Sequence, residues 1–356
     1  MEIEIETNAS NELKASGSTN YSNNTQNSIE SNNINAFVSK IHNYPEKNDV
    51  INYNNQKNNK FDNIQITYNN QNIEIFPKKK DNKDLFDYYF DSKNEFLSFA
   101  GEYLNEIYMN LLLDEKQLKY KPRFGYMDIQ SDINEQMRAI LIDWLIEVHY
   151  RYRLKNETLF QTVWIIDTYL SYHQIKREKL QLLGIASLLI SCKSQEIYYP
   201  QLKEFIDITD GAYIKSELLE MENNILKILN FNIMSPTSND FYNIIAKAFD
   251  FDKKEFYLGK YFLESSLIDY NMIRYSSSIK AVSCAYIVMK FFNINNYKYL
   301  YTSNVVIEEN QEKVIKDAAR EIYFLIKNLS KSSLKAIKEK YSLNQFLNVA
   351  QYCEQQ

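Results

Sequence analysis

Hydrophobic positions along the 356-residue chain fall into two regimes. Residues 1 to 82 are rich in Asn and Ser, poor in Leu and without helical periodicity. Such a stretch buries too little apolar surface to offset chain entropy, so a disordered tail is expected. From 83 the pattern changes. Phe96, Ala100, Tyr103, Ile107 and Leu111 form the stripe of a helix docked on something, and Lys121-Pro122 stops it. This helical segment and its linker span 83–130. Periodicity then predicts five helices within 131–232. The first runs over about 132–152 behind a Ser131-Asp132 cap, and the second over 157–172 behind Asn156, with Glu157 in its first turn. The third spans 177–193, a fourth follows Pro200, and the fifth spans 214–229. Gly184, Ala186 and Ser187 in the third helix admit close neighbours, which places it at the centre. At Ser235-Pro236-Thr237 the chain restarts. Helices are predicted at 238–249, 253–269, 276–292 and 308–328, with a poorly defined one near 297–303. Ala281, Ser283, Cys284 and Ala285 repeat the small-residue helix, and both copies end on a lysine, Lys193 and Lys290. The expected fold is all-α: two tandem five-helix domains, 131–232 and 233–330, with a docking helix and disordered tail before them. A C-terminal tail, 331–356, follows.

Composition narrows the function. Only 6 Gly and 5 Pro argue against a turn-rich β-sandwich or a glycine-lined nucleotide site. A net charge of -5 lacks the concentrated cationic face that holds phosphate backbones, so no nucleic-acid partner is expected. Cys192, Cys284 and Cys353 form no Cys-x-x-Cys pair, which excludes a zinc ribbon and fits a reducing compartment. His42, His149 and His173 are too scattered for a metal site, and no metal or cofactor is expected. No convergent set of titratable groups suggests an enzyme. The opening Met-Glu-Ile-Glu-Ile-Glu is acidic and alternating rather than leader-like, and apolar runs reach only about five residues. A soluble intracellular protein with no membrane partner is expected. Lys78, Lys79 and Lys80 fit a solvated charge run, with a nuclear-import signal as the alternative.

The most informative stretch runs from Met137 to Val148. Ala139, Ile142, Leu145 and Ile146 fall on one side of a helical wheel, while Met137, Ile140, Leu141 and Trp144 form a second stripe. A helix apolar nearly all round is either fully buried or buried on one face and adhesive on the other. Periodicity alone favours full burial.

This stretch, MRAILIDWLIEV, resembles the signature of the mitotic (A/B-type) cyclins. GYMDIQSDI precedes it, and NETLFQTVWIIDTYLS, KLQLLGIASLLISCKSQEIYYP, FIDITDGAY and LLEMENNILKILNF follow in the family's order. The resemblance covers about 100–330, and SLIDYNM looks most like B-type members. It implies a non-catalytic subunit of nucleus and cytoplasm that binds and activates a cyclin-dependent protein kinase in G2/M-type control. In the family, the positions of Lys193 and Glu222 hydrogen-bond backbone groups beside the kinase's C helix. Ile190, Leu226, Phe231 and Ile233 match positions lining a pocket for an apolar side chain of that helix, although Leu226 and Phe231 fit a core equally well. Glu196 and Tyr103 are expected to add contact. Met137, Ile140, Leu141 and Trp144 match a surface patch that captures Arg-x-Leu substrates or inhibitors. Glu147 would pair with the peptide's arginine, and Leu180 and Gln181 would close the cleft. Arg138 and Asp167 match an ion pair joining the first two helices. The pattern departs from the family where Ser194 replaces an aromatic, Gln195 replaces an acid and Thr168 replaces a common Arg. No Arg-x-x-Leu or Lys-Glu-Asn degradation signal is seen in the tail. The rival readings are a transcription-associated cyclin and a non-activating scaffold of the same fold.

Overall fold

The computed structural model describes residues 103–298, 300, 310–329 and 331–354. The expected tail, Phe96, Ala100 and most of the poorly defined helix near 297–303 lie outside the described residues. Helices α1 (Leu104–Gln117), α2 (Glu135–Arg151), α3 (Asn156–Tyr172), α4 (Leu180–Gln195), α5 (Leu202–Asp207) and α6 (Lys215–Ile228) come first. They are followed by α7 (Ser238–Ala248), α8 (Lys253–Ile268), α9 (Ser277–Phe291), α10 (Gln311–Leu329), α11 (Ala336–Tyr341) and α12 (Val349–Glu354). No strand occurs among the described residues.

Two domains stand in tandem, α2–α6 and α7–α10, each built round its small-residue helix. Every residue of α4 from Leu180 to Cys192 is buried. Gly184 helps: a Cβ there would stand 2.8 Å from Leu141 Cδ1, so a larger residue would have to push that side chain aside. In the second domain α9 takes the central place against α7, α8 and α10.

The expected caps shift. Asn134, not Ser131-Asp132, starts α2, its Oδ1 accepting from Met137 N at 2.9 Å. Asp132 instead accepts from the backbone N and Nε of Arg177, both at 2.8 Å, and so ties the approach to α2 to the approach to α4. The docking helix α1 turns a different face inward. Tyr108 and Leu112 are buried, Ile107 and Leu111 are half-buried, and Tyr103 is exposed. Tyr108 meets Phe241 of α7 edge-on at 5.4 Å, and Glu115 accepts from Ser278 N and Oγ at the start of α9. The docking partner of α1 is therefore the second domain.

Residues 331–356, expected as a tail, fold back as α11 and α12 wherever they are described. Lys340 Nζ donates to both carboxylate oxygens of Glu264 at 2.7 and 2.8 Å, and Tyr341 Oη adds 2.8 Å; all three side chains are buried. Ala336 N donates to Asp143 Oδ1 of α2 at 3.0 Å. One short strap thus touches both domains.

Candidate functional site

The candidate face is built by the C-terminal end of α4 and the C-terminal half of α6. Lys193 emerges in the last turn of α4, where a cation complements the exposed carbonyls. Glu222 sits mid-way along α6. Lys193 Nζ donates to Glu222 Oε1 at 2.6 Å, with 39% and 12% of the two side chains exposed. One contact uses one of three ammonium protons and one of two carboxylate oxygens. A donor and an acceptor therefore remain for another chain's backbone.

Apolar groups surround the pair. Ile190, one turn before Lys193, is buried, and Leu226, one turn after Glu222, is half-buried, as is Ile233. Phe231 is 67% exposed. It takes a left-handed backbone, φ 59°, immediately after Asn230 at φ 47°. Its N–H donates to Leu226 O at 2.8 Å, closing the end of α6 and fixing where the ring points. Sequence reasoning passed over three exposed apolar side chains that follow α4 and α6 in the chain: Ile197, Tyr198 and Met234. Tyr198 is 94% exposed, and Ile197 and Met234 are largely so. The signal was an apolar Ile-Tyr-Tyr run after the helix ends and before Pro200, where no core periodicity explains it. Met234 Sδ lies 3.3 Å from Ser194 Oγ, so the methionine covers the small residue at position 194. Tyr103 is exposed at the start of α1.

Glu196 does something other than expected. Its Oε1 accepts from Lys155 N at 2.7 Å and Thr158 Oγ1 at 2.6 Å, which anchors the first turn of α3. No side-chain cap comes from Lys155 itself, and Asn156 lies inside the helix. The carboxylate is spent on the fold because α4 ends beside the start of α3.

The second expected surface is closed. Met137, Leu141 and Leu180 are buried to within 1%, and Ile140, Trp144 and Gln181 are also buried, Trp144 being only 6% exposed. The close approach of α2 and α4 at Gly184 accounts for Leu141. Glu147 alone of this set is exposed. Full burial, which the periodicity favours, describes this stripe better than an open patch.

Arg138 and Asp167 meet as a bidentate pair, Nε to Oδ1 at 2.6 Å and Nη2 to Oδ2 at 2.7 Å, both side chains buried. Burial opposes the charge on Arg138, but Asp167 and Tyr126 hold its pKa above the ordinary value. The pair also reaches further than two helices. Arg138 Nη1 donates to Leu267 O and Ile268 O, which closes the C-terminal end of α8, and Tyr126 Oη donates to Asp167 Oδ1 at 2.9 Å. It is a junction between domains. No group of three or more His, Cys, Asp or Glu able to hold a metal occurs among the described residues, and no described helix is long and apolar enough to cross a membrane.

Comparison with known proteins agrees with this architecture. The family model "Cyclin, N-terminal domain" matches residues 106–234, and "Cyclin, C-terminal domain" matches 236–355. Cyclin-B2-1 of Oryza sativa subsp. japonica is 43% identical over 187 residues, covering 52% of this chain and 44% of its own length. The G2/mitotic-specific cyclin-B of Spisula solidissima is 36% identical over 251 residues, covering 70% of this chain and 57% of its own. The chain thus spans about half the length of these relatives. A viral cyclin from herpesvirus saimiri shares the fold, with a TM-score of 0.53 and 22% identity over 61% of this chain and 97% of its own. Two adjoining family domains, relatives among A- and B-type mitotic cyclins and a tandem helical fold leave one conclusion: the chain belongs to the cyclin family.

Proposed function

We propose that this chain is the regulatory subunit of a cyclin-dependent protein serine/threonine kinase, which it binds and activates in cell-cycle control. The observation that carries this reading is the exposed Lys193–Glu222 pair set among Ile190, Leu226, Phe231 and Ile233. A protein-binding face needs anchors that are apolar and already in place, together with polar groups that read backbone. This face offers both on two packed helices. The mechanism is a population shift. A partner that binds only the arranged form of the kinase stabilises that form by its differential affinity, and that form pairs the kinase's strand lysine with its C-helix glutamate.

The test is kinase activation by the double variant Lys193→Ala/Glu222→Ala. Activation is expected to be lost while the circular dichroism spectrum and melting temperature stay close to wild type. Undiminished activation would refute the reading.

Docking of Arg-x-Leu segments at Met137, Ile140, Leu141, Trp144, Glu147, Leu180 and Gln181 is the finer part of the proposal, and it requires Trp144 to become accessible. Glu147→Ala, at the exposed member of the set, is expected to slow phosphorylation of Arg-x-Leu substrates but not of a short peptide lacking that motif. Equal loss on both substrates would remove the docking role.

A further inference from the structure

Along α3 every residue from Thr158 to Ser171 is buried, and one of them is an amide, Gln161, 3% exposed. A buried amide is costly unless both of its ends find partners. Gln161 uses both. Its Oε1 accepts from Gln195 Nε2 at 2.6 Å, and its Nε2 donates to Ile233 O at 3.0 Å, with Met234 Sδ 3.8 Å away. One side chain of α3 thereby joins the last residue of α4 to the segment that follows α6.

That segment has little else to fix it. After the left-handed pair Asn230-Phe231, residues 232–237 lie outside any helix. The Ile233 N–H reaches back only to Phe231 O, and Ser194 Oγ donates to Met234 Sδ at 3.3 Å. Among the described residues, no other side chain of α3 or α4 hydrogen-bonds the backbone of this segment. The end of α4, by contrast, has further anchors. Lys155 Nζ donates to Gln195 O at 2.8 Å, and Glu196 accepts from Lys155 N and Thr158 Oγ1. Losing the Gln161 amide therefore frees Ile233 and Met234 while Lys193 stays where it is.

On the reading of Lys193 and Glu222 as a kinase-facing pair, on which this step rests, we propose that Gln161 is a positioning residue for the same face. It holds Ile233 and Met234 against the end of α4 before a partner arrives. A wall already in place loses less freedom on binding, so its signature is in affinity rather than in the activity of the bound partner.

Gln161→Leu in the full chain keeps most of the bulk and deletes both hydrogen bonds. The probe is the cyclin-dependent kinase that the wild-type chain activates, titrated with the variant at a temperature where circular dichroism shows it folded. The concentration for half-maximal activation is expected to rise roughly fivefold, the size of one ordinary hydrogen bond, with maximal activity unchanged. A merely structural role would lower the melting temperature and maximal activity together and leave the half-maximal concentration alone. In the chain without kinase, carbon-13 labelled at its methionine methyls, the Met234 signal should narrow and move toward that of an unrestrained methionine. Met137, in α2, should stay put. Gln195→Ala removes the same bridge from a half-buried position and should act in the same direction by a smaller factor, which covers the case of a poorly folded Gln161→Leu. An unchanged half-maximal concentration, or an unmoved Met234 signal, in whichever variant folds overturns the inference. Should Lys193→Ala/Glu222→Ala activate normally, the reading of that pair fails and the role of Gln161 with it. Should that double variant fail to activate while Gln161→Leu matches wild type, only the role of Gln161 is lost.

Discussion

Burial pushes the His149 imidazole down to about 4, with the Lys340 ammonium adding to the push and Glu264 opposing it. Its Nε2 donates to Lys155 O at 2.9 Å, and its Nδ1 is buried without a partner, which suits the neutral ring. The sign of the pH effect follows. Above about pH 6.5 the ring is neutral folded or unfolded and contributes nothing. As pH falls through 6.5 the unfolded chain takes up the proton first, so stability declines until about pH 4. The full loss is about 3 kcal/mol at most. His149→Gln is expected to flatten this limb in denaturant titrations run from pH 7 to 4; an unaltered limb would assign the loss to other groups. The apolar helix that carries His149 is what buries it. Glu196 was less legible. Its carboxylate sits 38 or more residues from the groups it anchors, and nothing local announces that distance. Phe231 was ambiguous for a related reason: helical spacing allows core or surface, and only the left-handed turn at Asn230-Phe231 puts the ring outside.

At the scale of elements, the strongest local patterns were the most faithful. The helices α2, α3, α4 and α6 lie within a few residues of their predicted bounds, because long apolar periodicity specifies them without outside help. The strap α11–α12 carried no comparable signal. Its helices are six residues each, too short to show a period, and it is held by the buried Lys340–Glu264–Tyr341 cluster together with the buried Ile337, Val349 and Ala350. Burial alone would drive the Glu264 carboxyl up, but Lys340, His149 and Tyr341 bring it below its ordinary value. Removing the cation leaves an uncompensated charge indoors. Lys340→Met should therefore cost about 3–5 kcal/mol, whereas Lys340→Met with Glu264→Leu should recover much of that cost. A double-mutant cycle by chemical denaturation measures both, and additive losses would refute the coupling. Face choice in α1 was hard to predict for a different reason: Ile107, Tyr108, Leu111 and Leu112 make two overlapping stripes, and α7 selects the one bearing Tyr108.

For the whole molecule, the decisive contacts join the domains. Arg138 binds Asp167 and the α8 carbonyls, Met127 N donates to Tyr270 Oη at 3.0 Å, and Asn239 reaches Glu157. The two domains are expected to melt together. Arg138→Ala should lower stability by about 3–5 kcal/mol through the stranded Asp167 carboxylate, and scanning calorimetry should show the whole transition move as one. A split into two transitions, with only the first domain affected, would contradict the junction. Sequence likeness pointed to the pair but not to its third partner, since carbonyls are common to every residue and leave no mark in the order of side chains. This has a consequence for genetics. An altered Arg138 acts through the amount of folded chain, so cells carrying it should grow when cool and fail when warm. On the proposed reading, an altered Lys193 or Glu222 removes a contact that heat does not restore or worsen, and its defect should persist at every growth temperature. Sorting conditional from unconditional alleles would draw the boundary between scaffold and contact surface in a living cell.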